Sequence, residues 1–474
     1  MLARSRADVQ SGAIGAESHE VFSLFRSILT DDWARKLERR EGVKRYRGRI
    51  PVFTTVVILW LMIYQRLSAK HTLSVAVKNL RAGSFEKLHG SGWQQKCRKI
   101  SLCTSGYSQA RNLLPISLVN HATDVITGAL LKRLENRLRW NGREVFLADG
   151  SSVSAPHEAE ILKRYPASRN KRECYWPVIR TVTCHHLFSG VAIRPSVGPM
   201  YGPERVSEQA LYKEQMTRVP ANSIIVADGN FGTFACAYHA TSAGHDVVVR
   251  LSSPRAKRIL RLNSKSQNGG LVSWIASPSD VKNNSELPKE SSIKGRIIQV
   301  TFKLLYQQQK QIYIFTTVRH SVDKIAALYA KRWWIETDLR TIKSTVDMRV
   351  LNCKSADMVE KEIVAGILAY SLVRATMAFA ALRVGKDPRT LSFSNAVDVI
   401  HAHLPALQRA KTVPAAIDIT EQILDQIGHC TISYRKKKRL PQPRIKRSRT
   451  TPYRISNKPR QILVDAMFLK MAID

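Results

Sequence analysis

The sequence predicts an α/β protein, with a helical domain before the mixed α/β core and a helical, basic region after it. Apolar residues recur at helical spacing through the first 140 or so residues, short apolar runs typical of buried strands begin near residue 143, and helical spacing returns near residue 329. Since 474 residues exceed what one hydrophobic core supports, several domains are expected. We place them at 1–140, 141–375 and 376–474.

The first domain is predicted to be helical because apolar residues follow helical spacing at 21–29, 52–67 and 113–138. Residues 35–49 hold eight Lys or Arg and only two acids. A helical, basic domain of this kind suits docking on a DNA duplex. For any single residue of this segment, a solvated helix face is the alternative interpretation.

The charge of the chain indicates a polyanionic partner. A formal net charge of +38 and a pI near 10.3 favour nucleic acid, which such a protein binds by releasing phosphate counterions. A membrane-surface or ribosome-associated protein has the same charge balance. The charge therefore defines a class of partner and no activity.

Cysteine usage and the lack of an apolar leader favour the cytoplasm. The seven cysteines are scattered without a C-x-x-C pair, which is typical of a reducing compartment. The first twenty residues have no apolar core, and the longest apolar run, 52–64, is shorter than a membrane span of about 20 residues. The spacing of Cys174, Cys184, His185 and His186 matches no usual zinc site, so buried cysteines are the better interpretation.

Two buried-strand runs, each closing in Ala-Asp-Gly, carry the first candidate site residues. Asp149 follows Val-Phe-Leu-Ala, and Asp228 follows Ile-Ile-Val-Ala. Taken alone, each Asp-Gly is a common turn signal. Because the pattern occurs twice, we predict that both carboxylates lie at strand ends and converge if the strands are neighbours.

The remaining strands and the helix of the core are predicted from the spacing of apolar residues and from composition. Further strands are predicted at 175–186, 190–197, 245–251, 298–304 and 312–317, with a helix at 204–218. The polar stretch after residue 252 and the last two strands indicate a β-rich insertion at about 252–318. Trp274 lies in this insertion, where the alternatives are a buried core residue and a base-stacking residue.

The segment 329–343 is predicted to be a helix that presents one carboxylate among cations. Helical spacing places Tyr329, Arg332, Glu336 and Lys343 on one face, and Arg340 lies beside them without an assigned role. The alternative is a solvated face with i,i+4 ion pairs.

The C-terminal region contains an apolar helix and a basic arm. Residues 359–384 are typical of a helix packed on a sheet. Residues 431–460 hold 12 Lys or Arg, no acid and several prolines, which predicts an extended arm along phosphates. A tail without a specific partner is the alternative.

Three carboxylates at separate points of the chain suit phosphodiester chemistry. Asp149, Asp228 and Glu336 offer the hard oxygen ligands that Mg²⁺ or Mn²⁺ prefers, and two such ions about 4 Å apart activate a water or 3′-hydroxyl and stabilise the leaving oxygen. Arg332 and Lys343 would neutralise adjacent phosphates.

The spacing Tyr329-x2-Arg332-x3-Glu336-x6-Lys343 resembles the signature of DDE-class transposases of bacterial insertion sequences, specifically the insertion-sequence-four family. Residues 143–351 are similar to that family's catalytic region throughout. The resemblance implies an RNase H-like fold and cut-and-paste transposition, often through a DNA hairpin. The segment 105–111 and the basic C-terminus resemble the family's flanks less specifically.

The resemblance also implies roles and partners. Asp149, Asp228 and Glu336 would be the catalytic and metal-binding residues for two Mg²⁺ or Mn²⁺ ions, and the other three signature residues would bind the DNA end. The partners would be the double-stranded DNA of terminal inverted repeats and target, and a second copy in a homodimeric synaptic complex. No membrane and no nucleotide cofactor are expected, and the protein would act on the bacterial nucleoid.

The sequence departs from the family's pattern at one position, and two alternative functions stay open. Gly229 stands where relatives often carry Arg, so no phosphate contact is transferred to it. A catalytically inactive or repurposed DNA-binding protein would have the same fold and charge. A tyrosine recombinase with Tyr329 as nucleophile would need an Arg, His and Arg set, and the chain has no H-x-x-R segment.

Overall fold

A computed structural model describes residues 21–43, 52–82, 93–135, 137–168, 176–263, 270–303, 309–410 and 412–432, with isolated positions 462 and 465. The predicted basic arm lies almost wholly outside the described residues, as do positions 44–49 of the basic N-terminal segment and Cys174. The described part of that segment lies on one helix, where Arg35, Lys36, Arg39 and Arg40 are all exposed.

The described part of residues 1–140 is helical, as predicted. Its helices are α1 (Val21–Ile28), α2 (Asp31–Arg40), α3 (Thr55–Leu67), α4 (Leu73–Arg81), α5 (Trp93–Arg98), α6 (Ser105–Leu113) and α7 (Ile116–Leu134). Threonines fix three of the starts, because the side chains of Thr30, Thr54 and Thr72 accept hydrogen bonds from backbone amides of the first turn.

The centre of the molecule is one mixed sheet of eight strands with the order β3-β2-β1-β4-β5-β8-β7-β6. The strands are β1 (Val145–Ser154), β2 (Val178–His186), β3 (Ser196–Pro199), β4 (Ile224–Ala227), β5 (Asp246–Leu251), β6 (Leu271–Ile275), β7 (Ser292–Lys303) and β8 (Gln309–Thr316). The helices that follow are α8 (Ala159–Arg164), α9 (Glu208–Met216), α10 (Phe234–Ser242), α11 (Ser253–Leu262), α12 (Pro278–Asn283), α13 (Val322–Ala330), α14 (Trp333–Ser344), α15 (Ala356–Arg383), α16 (Phe393–Arg409) and α17 (Val413–His429).

The first five strands have the RNase H-like arrangement. β1 pairs antiparallel with β2 and parallel with β4, β2 pairs antiparallel with β3, and β4 pairs parallel with β5. The predicted α/β class and RNase H-like core are therefore confirmed. The strand predicted at 190–197 is wrong in its bounds, since β3 begins only at Ser196.

The β-rich insertion does not make the separate excursion that its sequence suggested. β8 pairs antiparallel with β5, and β7 and β6 follow in order, so this segment extends the central sheet. On the side of β5 away from β4, the backbone groups of the apolar run Val247–Val249 need hydrogen-bond partners. β8 supplies these partners. The segment also contains α11 and α12.

The single helix predicted for 329–343 is wrong in one respect, because the chain turns between two helices. α13 ends at Ala330 and α14 begins at Trp333. Around the junction the amides of Arg332 and Ile335 donate to carbonyls three residues back instead of four. Because of this tighter turn, Tyr329 lies on α13, whereas Glu336 and Lys343 lie on α14.

α15 is the core helix of the protein. This predicted helix packs against α3 and α7 of the N-terminal region and against α17. It is apolar and long enough to cross a membrane, but the apolar window is completely buried within the protein. Since one large hydrophobic core includes residues of α3, α7 and α15, the boundaries proposed at 140 and 375 stay predictions.

Candidate active site

Two neighbouring parallel strands position the two aspartates. Ala148 of β1 pairs with Ala227 of β4, so Asp149 and Asp228 occupy the next position on adjacent strands, which lie about 4.8 Å apart in a sheet. β4 ends there, as predicted, whereas β1 continues to Ser154 beside β2. Asp149 therefore lies inside a strand, at the point where β1 loses β4 as a partner but keeps β2, and not at a strand end as predicted.

The junction of α13 and α14 brings the signature residues to the same point. The Nη2 of Arg332 donates to Oε1 of Glu336 at 2.6 Å, and its Nη1 lies 3.7 Å from Oδ2 of Asp149. Tyr329 is buried within electrostatic reach of Arg332 and Asp228. The Arg332 guanidinium thus lies between the first and third acids.

A cavity of ≈ 500 Å³ opens beside these residues. The strand segment 149–152 forms one wall, and Glu336, Arg340 and Lys343 of α14 contribute to the other. Arg340, which the sequence left unassigned, therefore belongs to the site by position. Because Arg180 and Arg349 also line the cavity, its walls combine acids with a surplus of cations.

Burial and mutual repulsion raise the pKa of Asp149 to about 6. Desolvation is the largest cause, and the charges of Asp228 and Glu336 act in the same direction, so both of these carboxylates lie within electrostatic reach of Asp149. The Gly150 amide, which donates to Asp149 Oδ1 at 2.8 Å, and Arg332 oppose the shift.

The two remaining signature residues are also partly withdrawn from water. Burial raises the pKa of Tyr329 to about 12, so its hydroxyl stays a hydrogen-bond donor at neutral pH. Burial, and then repulsion from Arg349, lower the pKa of Lys343, while Asp149 acts in the opposite direction. Asp149 and Lys343 are therefore close enough to feel each other's charge.

The donor chemistry of the site fits a hard divalent cation. The acids are carboxylates without Cys or His among them, which suits Mg²⁺ or Mn²⁺. Across the described ranges, however, no three His, Cys, Asp or Glu side chains are grouped closely enough to hold a metal ion together. The Arg332 guanidinium supplies the positive charge between Asp149 and Glu336.

A buried ion pair that sequence reasoning missed anchors the signature helix. Asp338 of α14 is 3% exposed and accepts two hydrogen bonds from Nη1 of Arg389, at 2.7 and 2.8 Å. Arg389 also donates to the carbonyls of His186 and Leu187 at the end of β2. Burial alone would raise the pKa of Asp338, but Arg389 and His185 hold it well below the usual range of an aspartate. The signal in the sequence was an acid on the buried side of a helix.

Trp274 is a core residue, which was the simpler of its two interpretations. Its side chain is fully buried, and its ring packs edge-on against Phe234 at 5.7 Å and Phe315 at 4.8 Å between centroids. A ring enclosed in this way has no free face for a base. Of the described cysteines, Cys97, Cys184, Cys236 and Cys353 are buried as expected, whereas Cys103 is exposed and Cys430 is half-buried.

An RNase H-like sheet together with the four-residue signature is typical of proteins of the DDE class. Residues 140–372 match the family model described as "Transposase DDE domain". Residues 140–372 thus form a DDE transposase domain, and the resemblance to the insertion-sequence-four type seen in the sequence is confirmed.

Two individual proteins extend the comparison. The chain is 24% identical over 279 residues to Transposase InsG for insertion sequence element IS4 of Escherichia coli (strain K12), an alignment that covers 57% of this chain and 61% of the relative. The chain thus spans about three fifths of that relative's length. Among solved structures, it is similar to the cryo-EM structure of the piggyBac transposase synaptic complex with hairpin DNA, with 10% identity, a TM-score of 0.43 and coverage of 89% and 87%.

The raised pKa of Asp149 predicts that Asp149→Asn stabilises the metal-free protein at neutral pH. A carboxyl whose folded-state pKa of about 6 exceeds its ordinary 3.8 contributes stability that is lost as the pH rises through this interval. Removing the charge should therefore raise the free energy of unfolding by about 1–3 kcal/mol at pH 7.5, and the gain should vanish near pH 4. Urea denaturation in EDTA measures it. The exposed Asp418→Asn is the control, and equal effects of both variants at pH 7.5 would contradict the prediction.

Proposed function

We propose that this protein is a DNA transposase that cuts an insertion sequence at its ends and joins those ends to target DNA by cut-and-paste transposition. One observation carries the proposal. Two adjacent parallel strands and the signature helix bring Asp228 and Glu336 within electrostatic reach of Asp149, beside a cavity lined with cations. Carboxylates among phosphate-binding cations suit the cleavage of a polyanionic substrate.

In this proposal Asp149, Asp228 and Glu336 are the catalytic residues and would hold two Mg²⁺ or Mn²⁺ ions. When bound, such ions activate a water or 3′-hydroxyl and stabilise the leaving oxygen at phosphorus. Arg332, which pairs with Glu336 in the protein alone, would turn its charge to a phosphate of the DNA end.

The other signature residues would bind the substrate. The Tyr329 hydroxyl keeps its proton at neutral pH and would donate a hydrogen bond to a phosphate oxygen. Lys343 lines the cavity from α14 and would neutralise a second phosphate. Arg340, one turn before it, presents a further cation to the same cavity.

The proposed partners are the double-stranded DNA of the terminal inverted repeats and the target, and a second copy of the chain in a synaptic homodimer. The net charge of +38 supports DNA as the substrate. Residues 1–140 would dock on DNA through cations such as those exposed on α2, residues 141–375 would catalyse, and residues 376–474 would add basic contacts. The protein would act in the bacterial cytoplasm on the nucleoid.

Cleavage of end-containing DNA tests the function. A labelled duplex that carries the inverted repeat from beside the coding sequence should be nicked by the purified protein with Mg²⁺ or Mn²⁺ and left intact in EDTA. A control duplex with a scrambled repeat should be spared. Specific binding without cleavage at any metal concentration would overturn the proposal and identify the chain as a repurposed DNA-binding protein.

Lys343→Ala should weaken binding to the DNA end and reduce its dependence on salt. One lost phosphate contact lowers the slope of log K against log [salt] by about one. Fluorescence anisotropy with end DNA at several salt concentrations measures this slope. Lys324→Ala removes an exposed lysine from α13 and is the matched control. If both variants keep the wild-type slope, Lys343 makes no phosphate contact.

A further inference from the structure

A fourth carboxylate, Glu208, reaches the cavity from the face of the sheet opposite Glu336. It lies in the first turn of α9, whose start is fixed by the Ser207 side chain accepting from the Ala210 amide. α9 packs its Leu211 into the core that also contains Phe146 and Ala148 of β1. The first part of α14, which carries Glu336, packs through Ile335 into the core on the other face, which contains Val145 and Leu147, whereas Ile342 reaches the first core. Both helices therefore bring an acid to the unpaired edge of β1.

Glu208 lies directly against the residue that follows Asp149. A Cβ atom built on Gly150 would be 2.7 Å from the Cδ of Glu208, closer than real Cβ atoms come to a neighbour. A side chain at this place would therefore displace the end of the Glu208 side chain. The amide of Gly150 donates to Asp149 Oδ1, so the same residue contacts both acids.

Glu208 is also connected to the second aspartate through Asn230. The side-chain amide of Asn230 donates to Oε2 of Glu208, and Nε2 of Gln209 donates to the Asn230 carbonyl at 3.3 Å. The backbone amide of Asn230 in turn donates to Oδ1 of Asp228 at 2.9 Å. The first turn of α9 thus holds the turn that orients the Asp228 carboxylate.

From these contacts we propose that Glu208 is a positioning residue, which sets the placement of Asp228 relative to Asp149 through Asn230 and Gly150. The inference rests on the proposed function, since it concerns the same metal-dependent site. Glu208 acts by accepting a hydrogen bond and filling space. Its charge is not required, because an uncharged acceptor of the same shape also accepts a hydrogen bond from Asn230.

The test compares Glu208→Ala, Glu208→Gln and Asn230→Ala in the full-length protein, with Mn²⁺ as the probe. Titration calorimetry gives the Mn²⁺ affinity without turnover, and cleavage of end DNA gives the Mn²⁺ concentration for half-maximal rate. Loss of a residue that orients a metal ligand costs about 10–100-fold in metal affinity, so both alanine variants should require at least about tenfold more Mn²⁺. Glu208→Gln should stay within about threefold of wild type, because its amide oxygen still accepts from Asn230.

Three further variants keep the test decisive. Because Glu208 and Asn230 act through one hydrogen bond, the double alanine variant should be no worse than either single variant. Gly150→Ala should displace the Glu208 side chain and weaken Mn²⁺ binding in the same direction, even if Glu208→Ala folds poorly. Glu204→Ala, which removes an exposed glutamate just before α9, should change nothing.

The outcomes separate this inference from the proposed function. Wild-type cleavage with unchanged Mn²⁺ affinity in Glu208→Ala and Asn230→Ala overturns the positioning role and leaves the transposase intact. Equal damage from Glu208→Gln and Glu208→Ala overturns it as well, since the charge would then be what matters. Wild-type protein that neither binds Mn²⁺ nor cleaves end DNA refutes the proposed function together with this inference.

Discussion

Replacing Asp149, Asp228 or Glu336 by alanine is expected to abolish metal-dependent cleavage of end DNA while leaving DNA binding largely intact. Each acid supplies part of the carboxylate set at the open edge of β1, whereas the DNA is held mainly by cations. A preorganised group that acts on charge developing in the transition state contributes about a hundred- to thousandfold, and a lost metal ligand should cost at least that much. Single-turnover cleavage rates in Mg²⁺ and Mn²⁺ measure the loss.

Two controls make this result interpretable. Glu290→Ala removes an exposed acid that lies well before the signature in the sequence. This variant should cleave at the wild-type rate. Anisotropy with end DNA should give dissociation constants within about threefold of wild type for every alanine variant, as phosphate contacts dominate affinity. Undiminished cleavage by Glu336→Ala alone would remove the signature helix from the mechanism.

The three acids could be predicted because their sequence signals are local. The helices and strands around them could be predicted only in part. The repeated Ala-Asp-Gly pattern and the signature spacing both lie in contiguous sequence. The length of β1 beyond Asp149 depends on pairing with β2, whose residues lie about 30 positions later. The turn that separates α13 from α14 changes only a few backbone hydrogen bonds, which helical periodicity does not resolve.

The partners of residues that act through distant contacts could not be predicted from the sequence. Glu208 lies against Gly150 and Asn230 only because α9 packs on one face of the sheet. Arg389 lies 51 positions from Asp338, and its role depends on a buried pair that no spacing rule predicts. The joining of β8 to β5 is similarly non-local, so a β-rich segment was foreseeable and its place in the central sheet was not.

The packing of α15 on the N-terminal helices depends on a buried ion network whose centre is Glu362. This residue is 4% exposed and accepts hydrogen bonds from Arg66 of α3 and from Nη2 of Arg111 of α6, the latter at 3.0 Å. Arg111 belongs to the segment 105–111 that resembles the family's flank, and its guanidinium also donates to Gln65. The segment therefore anchors the helical region to the core helix.

Glu362→Ala should consequently be among the most destabilising single changes in the protein. Truncating the carboxylate leaves two buried guanidinium groups without their counter-charge, which costs about 3–5 kcal/mol of unfolding free energy. Glu362→Gln keeps an acceptor and should lose less, whereas Glu421→Ala breaks an exposed pair with Arg383 and should cost under about 1 kcal/mol. Urea denaturation followed by circular dichroism measures all three. A loss for Glu362→Ala no larger than that for Glu421→Ala would show that the network stabilises neither α15 nor its contact with α3 and α6.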